Sequence, residues 1–546
     1  MKPIYKLSGV RVSDLALSIL MIFAAIILFS NLATWGVTET SEARYAEISR
    51  EMYLSGDYMH PRLLKIGHYH KPPLTYWITA FAYSIFGVTA FAARFFLQVA
   101  LLIQIYLVYR LGQLLFKNSE AAFHSACIYF AFPLVIISSR ALTTDAYLTT
   151  TVLASIFAWI KYKKGRGIIN LYFFYTCMGL GMLIKGPVAF IAPVTVAVAS
   201  HWLIKKDGRN MIKHHLAGVL ILLTVGSSWY IMLWKENHDF FNYFVVDHIF
   251  NRFMTNNFGR RQPFWFFIVV AIITTFPWFV MIVNVLFAKK KTAILKLLLI
   301  WVFVPLCFFS LSSSKLILYI LPIYAGMALA AAYMWHNMIL MHKQWLTAYS
   351  VFTVLILLGL MLAPLLDKSL LFNTEVYFLV CGVGLVILIA VLLKWHRHKL
   401  SLIYYQVLVT STLTLFSSLL FSSNPEKLHD QKNLAAFISS IPGVDQVYVY
   451  NELLPSLAFE LNKDIISVNA GSSHLFRETR FEEECSWEDY FIGEEKLNKV
   501  NTKESAFVMD EKDGISEEVQ GLLCKYSKKR HIEGWVVFYN GRSIYL

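Results

Sequence analysis

Ionisable side chains crowd one stretch of an otherwise apolar chain: "TSEARYAEISREMYLSGDYMHPRLLKIGHYHKPPLTYW", Thr40 to Trp77. It holds carboxylates at Glu42 and, just upstream, Glu39. It holds cations at Arg44 and Lys71, with Tyr69 and His70 directly before the lysine. Isolated charges recur later: Asp145 in "TTDAY", Lys185 in "IKGP", His248 and Arg252 in "DHIFNRF", Arg260 and Arg261 in "GRRQP", and Lys315 in "SSSKLILYILP". A carboxylate can take a proton from an acceptor, and positioned cations stabilise a phosphate as charge builds on it. Each residue also has a plain structural reading. A lysine at the end of a span snorkels, an aspartate at a helix start caps it, and an amphipathic helix carries solvated charges. Chemistry is favoured because all of these groups sit at the ends of apolar segments, where an ionisable side chain is costly unless paired or used.

The elements that position them are membrane helices. The chain has 546 residues and is 57% hydrophobic, against about 45–50% for a soluble protein. Apolar runs near the bilayer-crossing length of about 20 residues recur from Asp14 to Phe421. About 13 spans are expected by that length rule: 14–36, 90–113, 120–139, 146–162, 169–185, 188–204, 214–234, 264–287, 294–312, 316–335, 345–365, 376–394 and 401–422. The first is too long for a signal-peptide core and lacks a small-residue cleavage site, so it reads as a retained span. With the N-terminus inside, the basic clusters "KYKKGRG", "KKDGRNMIK", "AKKKTAILK" and "KWHRHK" all face the cytoplasm. That agreement requires residues 72–87 to lie in the interface rather than cross. The net charge of +14 is then topological and lipid-facing, and no nucleic-acid partner is expected.

The fold expected is a polytopic α-helical membrane protein with a C-terminal extracytoplasmic α/β domain. Residues 1–423 form the membrane domain, with the outer loop 37–89 carrying the active site, and residues 424–546 form the soluble domain. In the latter, "VDQVYVYNELLPSLAFEL" reads as strand, turn and helix, and "SAFVMD" and "EGWVVFYNGRSIYL" read as strands. Four of the six cysteines lie in apolar runs. Cys485 and Cys524 fall in the outer segment, an oxidising compartment on this topology, and the sequence leaves open whether they are bridged or are two unrelated thiols.

From Glu42 to Trp77, through the "KPP" at 71–73, the chain resembles the GT-C membrane glycosyltransferases, and within them the lipid A aminoarabinose transferases and the protein O-mannosyltransferase-like enzymes. The order of "TD", "KGP" and "SK…Y.LP" at Asp145, Lys185 and Lys315 supports the likeness, which hardly extends to the C-terminal segment. It implies an inverting transfer of a sugar, such as 4-amino-4-deoxy-L-arabinose, from a polyprenyl-phosphate donor to a glycolipid, polysaccharide or protein acceptor at the outer side of a bacterial inner membrane. It implies phosphate binding by Arg44 and Lys71, supported by Lys185, Arg260 and Lys315, and a base at Glu42 or Asp145. Ser41 stands where the family carries its first aspartate, so Glu42 and then Glu39 are the nearest acids. No cofactor is required except a divalent metal in some relatives; the corresponding positions here are His70 and Arg260, and His60, His68 and His70 offer a different set. An acceptor phosphate would need no strong base. A lipid-linked saccharide flippase is the competing class, but no internal repeat is visible and the charges gather at one face.

Overall fold

Within a bilayer every backbone N–H and C=O must be satisfied inside its own segment, so apolar runs fold as helices. The computed structural model describes residues 5–204, 211–244, 261–287, 291–337, 401–469 and 485–540, together with 481–482 and some positions between 348 and 385. It divides into two compact units.

The first unit comprises Met1–Asn31, Leu97–Arg140 and Thr144–Ser423. Its helices include Tyr5–Phe29, the greater part of Ala90–Phe116, Ser119–Phe130, Pro133–Arg140, Thr144–Lys163, Ile169–Lys185, Ile191–Leu203 and Ile212–Glu236. Phe266–Thr275, Trp278–Leu286, Ala293–Leu311, Ile323–Asn337 and Ser401–Ser423 follow. Ala90–Phe116, Ile212–Glu236, Ala293–Leu311 and Leu402–Ser423 are each long and apolar enough to cross a membrane. Ser119–Phe130 and Pro133–Arg140 make a fifth candidate if taken as one span bent by 56°. The expected span 120–139 is thus bent, and 264–287 is divided at Pro277. Proline removes a backbone donor, clashes with the preceding turn and restrains the residue before it, so each break follows from its proline. The expected spans 345–365 and 376–394 fall almost entirely outside the described residues.

The second unit comprises Leu32–Phe96, Ala141–Thr143 and Asn424–Leu546. Its first part holds the helix Ser41–Ser55, a hairpin of β1 (Arg62–Leu63) and β2 (Ile66–Gly67), and the helix Leu74–Phe86. That last helix has 13 residues, short of the length needed to cross. Its second part is a six-stranded sheet ordered β5-β4-β3-β6-β8-β7. The strands are β3 (Gln446–Tyr450), β4 (Ile466–Val468), β5 (Phe491–Ile492), β6 (Ser505–Asp510), β7 (Lys528–Ile532) and β8 (Trp535–Tyr539). β5, β4, β3 and β6 run parallel, whereas β6–β8 and β8–β7 are antiparallel.

Side chains alternate between faces with the strand period of two. Val447, Val449, Ala506, Val508, Val537 and Tyr539 point to one face, against Leu434, Phe437 and Leu457 of the flanking helices. Ile48, Met52, Leu63, Leu64 and Tyr76 of this unit's first part complete the same core. Tyr448, Tyr450, Phe507, Met509 and Val536 point to the other face, against Val519, Leu522 and Leu523. β7 and β8 meet at Glu533-Gly534, both at positive φ, the pair of angles that a two-residue hairpin turn demands. Cys524, whose pairing with Cys485 the sequence left open, has a free and exposed thiol.

Candidate active-site residues

The helix Ser41–Ser55 is built from good helix formers and stops at Gly56, whose φ of 74° and N–H bond to Met52 O close it. Near its start Glu42 is 2% exposed, and Arg94, more than fifty residues on, is fully buried. Arg94 Nε donates to Glu42 Oε1 at 2.7 Å and Nη2 donates to Oε2 at 2.8 Å. The Leu142 N–H donates to Oε1, and the Thr38 N–H and hydroxyl both donate to Oε2. Arg94 spends its other donors on the carbonyls of Leu32, Trp35 and Gly36 and lies 4.8 Å from the Trp35 ring centre. Burial pushes the Glu42 carboxyl up, but Arg94 and the backbone donors outweigh it and hold the group below the ordinary range. Glu42, expected as a base, therefore sits with both oxygens bonded, the centre of a buried clasp that fixes the helix start.

Glu39 lies three residues upstream. Its carboxylate accepts from the Ser456 N–H at 2.8 Å. Burial raises its pKa to about 7, against the lowering effects of Ser456 and the Arg44 charge. A carboxyl tuned to that range suits proton transfer near neutral pH. Arg44 is half-buried; its Nε donates to Thr40 O at 2.9 Å, and its Nη2 lies 3.5 Å from Ser41 Oγ.

Further along the same helix, Glu47 pairs with Arg50 through two bonds of 2.7 Å. Arg50 also reaches Asp464 at 3.1 Å. Glu51 accepts from the Lys65 N–H, and Lys65 Nζ meets Asp464 at 2.9 Å. Burial, together with the mutual repulsion of the two acids, raises Glu51, and burial raises Glu47. Leu64 and Lys65, both at positive φ, turn the β1–β2 hairpin, a strained conformation for non-glycine residues. Lys71 is half-buried and opens the "KPP" that starts the helix Leu74–Phe86, with Pro73 at its N-cap. The His68 and His70 ring centres are 4.1 Å apart, Tyr69 packs edge-on against Phe481, and His60 pairs with Asp57.

In the other unit, Asp145 lies in the first turn of Thr144–Lys163 and Lys185 in the last turn of Ile169–Lys185. The two charges complement the respective helix dipoles. Lys185 Nζ donates to Asp145 Oδ1 at 2.5 Å and stands 4.5 Å from the Tyr319 ring centre. Gly186, at φ 84°, ends the helix just after the lysine. Lys315 is buried and donates to the carbonyls of Gln262 and Ser312, and Arg261 forms a backbone bridge with Ser314. His248, Arg252 and Arg260 lie outside the described residues.

Arg94, Arg50 and Lys65 were not among the expected residues. Arg94 had a signal, a lone arginine inside the apolar run "AFAARFFLQV"; Arg50 and Lys65 need the distant Asp464 to make sense. Among the described residues, His70 belongs to no cluster of three potential metal ligands.

Residues 70–231 match the family model described as dolichyl-phosphate-mannose-protein mannosyltransferase. The chain is 28% identical over 554 residues to an undecaprenyl phosphate-alpha-4-amino-4-deoxy-L-arabinose arabinosyl transferase of Pectobacterium carotovorum, covering 95% of this chain and 97% of the relative. A Proteus mirabilis transferase of the same description is 30% identical over 321 residues, covering 57% of this chain and 58% of the relative. The crystal structure of ArnT from Cupriavidus metallidurans bound to undecaprenyl phosphate superposes with a TM-score of 0.78 at 21% identity, over 95% of this chain and 97% of that one.

Proposed function

We propose that this chain, which has the GT-C membrane fold and resembles the lipid A aminoarabinose transferases and their protein O-mannosyltransferase-like relatives, is a glycosyltransferase that takes 4-amino-4-deoxy-L-arabinose from undecaprenyl phosphate and delivers it to an envelope acceptor such as lipid A. The observation that carries this reading is the end-to-end likeness to the Pectobacterium transferase. The fold is that of the Cupriavidus structure.

In the reaction an acceptor oxygen bonds to the anomeric carbon from the side opposite the donor phosphate. The bond from that carbon to the phosphate oxygen breaks, and its electron pair leaves with the lipid phosphate, inverting the centre. The family resemblance assigns the departing phosphate to Arg44 and Lys71, with Lys185, Arg260 and Lys315 in support; losing one such contact typically costs a few kcal/mol. An acceptor hydroxyl passes its proton to a carboxylate. Glu39 is the better proton acceptor of the outer-loop pair because burial has brought it to about 7, whereas Glu42 is a positioning residue. Asp145 acts with Lys185, to which it is bonded. The reading of about 13 crossings by length, with the basic loops inside, supports an extracytoplasmic position for residues 37–89 and 424–546.

Purified protein given undecaprenyl phosphate-linked aminoarabinose and lipid A should release free undecaprenyl phosphate only when the acceptor is present. A flippase would move the donor and release none, and that outcome would overturn the assignment.

A further inference from the structure

Away from the outer loop, the first membrane unit contains a cluster the transfer reaction does not use. Asn118 caps the helix Ser119–Phe130 by accepting from the N–H groups of Glu120 and Ala121. Glu120 and His124 are then one turn apart, a spacing that puts them on one face. His336 lies in the last turn of Ile323–Asn337. His124 Nδ1 stands 2.7 Å from His336 Nε2, and the rings are within 20° of coplanar with centres 4.9 Å apart. The potential ligand atoms of Glu120, His124 and His336 all lie within 4.8 Å of one another.

His124 is 1% exposed, and its Nε2 is buried with no hydrogen-bond partner among the described residues. The atom that His124 turns toward His336 is Nδ1, so Nδ1, and not Nε2, is the one an ion between the two rings would take. The Tyr404 ring stands edge-on to His124 with centres 6.0 Å apart and walls one side. Glu120 is exposed and His336 half-buried, so the cluster opens to solution at one end.

We propose that Glu120, His124 and His336 bind a divalent transition-metal ion of the zinc class and so clasp the Ser119–Phe130 and Ile323–Asn337 helices. Two imidazole nitrogens and a carboxylate are a donor set suited to zinc. At zinc–nitrogen distances of about 2.0–2.1 Å, two nitrogens on a tetrahedral ion stand about 3.3 Å apart. The rings therefore need to separate by only about 0.6 Å for an ion to replace the direct contact. His124 bound through Nδ1 would be the neutral tautomer with its proton on Nε2, and solvent would complete the coordination beside Glu120. Charge bias puts both helix ends on the cytoplasmic side, so the ion would come from there.

The test uses full-length protein in detergent, without a histidine tag, stripped with a chelator and titrated with Co²⁺ or Zn²⁺. One equivalent of Co²⁺ should bind with visible ligand-field absorption, and Zn²⁺ should raise the melting temperature. His336→Gln and Glu120→Gln, both at accessible positions, should each weaken binding at least tenfold and abolish the zinc-dependent rise. His70→Gln should retain both effects, which separates this cluster from the outer histidines. Absence of stoichiometric binding in the wild type, or unchanged binding in His336→Gln, would overturn the proposal.

Discussion

At the scale of single residues, the decisive contrast is between two acids three positions apart. Glu42 is saturated by Arg94, Thr38 and Leu142, and removing one partner of such a buried pair typically costs about 3–5 kcal/mol. Arg94→Leu should therefore lower the melting temperature sharply, and a variant that melts like the wild type would show that the clasp does not hold the helix. Glu39 behaves differently. Its folded pKa of about 7 lies above the ordinary carboxylate value. Its contribution to stability is thus full below that ordinary value and is lost as pH rises through about 7. With a hydroxyl acceptor, the ionised form is the active base, so the rate should climb with pH through the same region. Glu39→Gln should lower turnover and flatten that limb in a pH–rate profile. Asp145 and Lys185, joined by one 2.5 Å bond, should fail as a unit. Asp145→Asn and Lys185→Ala should each cut turnover, and the double variant should be little worse than either single one, as a double-mutant cycle would show.

At the scale of elements, the sheet and the helix Ser41–Ser55 depend on each other, because Ile48 and Met52 lie in the core formed by Val447, Val449, Leu457 and Val508. Met52→Ala should destabilise this unit by about 2–5 kcal/mol, read by thermal unfolding or by protease sensitivity between residues 424 and 546. Much of this architecture was legible in the sequence. "VYVY" and "AFVM" announce β3 and β6 by apolar runs, and "KPP" announces a helix start. β7 was not legible, since "KKRHI" has no apolar alternation and four of its five residues are exposed; it exists because the turn at Glu533-Gly534 folds it onto β8. Its lysines and arginine also suit an edge strand, where charge discourages pairing with other chains. The outer-loop charges were legible as a group, but their pairing was not. Glu42 finds Arg94, and Arg50 finds Asp464, across separations that no local period encodes.

At the scale of the whole molecule, the expected crossings make a direct test of topology. A reporter fused after residue 400 should be cytoplasmic and one fused at residue 430 should be extracytoplasmic. The reverse result would mean that the helix Leu74–Phe86 crosses after all. The shared core also has a consequence in time. A ribosome adding about 5–20 residues per second finishes the helix Ser41–Ser55 roughly 20–80 seconds before it reaches β3. During that interval the apolar surface of Ile48, Met52, Leu63 and Tyr76 has no sheet to cover it. Something other than its own sheet must shelter it, and a message truncated before residue 424 would leave it bare for good. Such a product would be a substrate for proteolysis before it could be an enzyme.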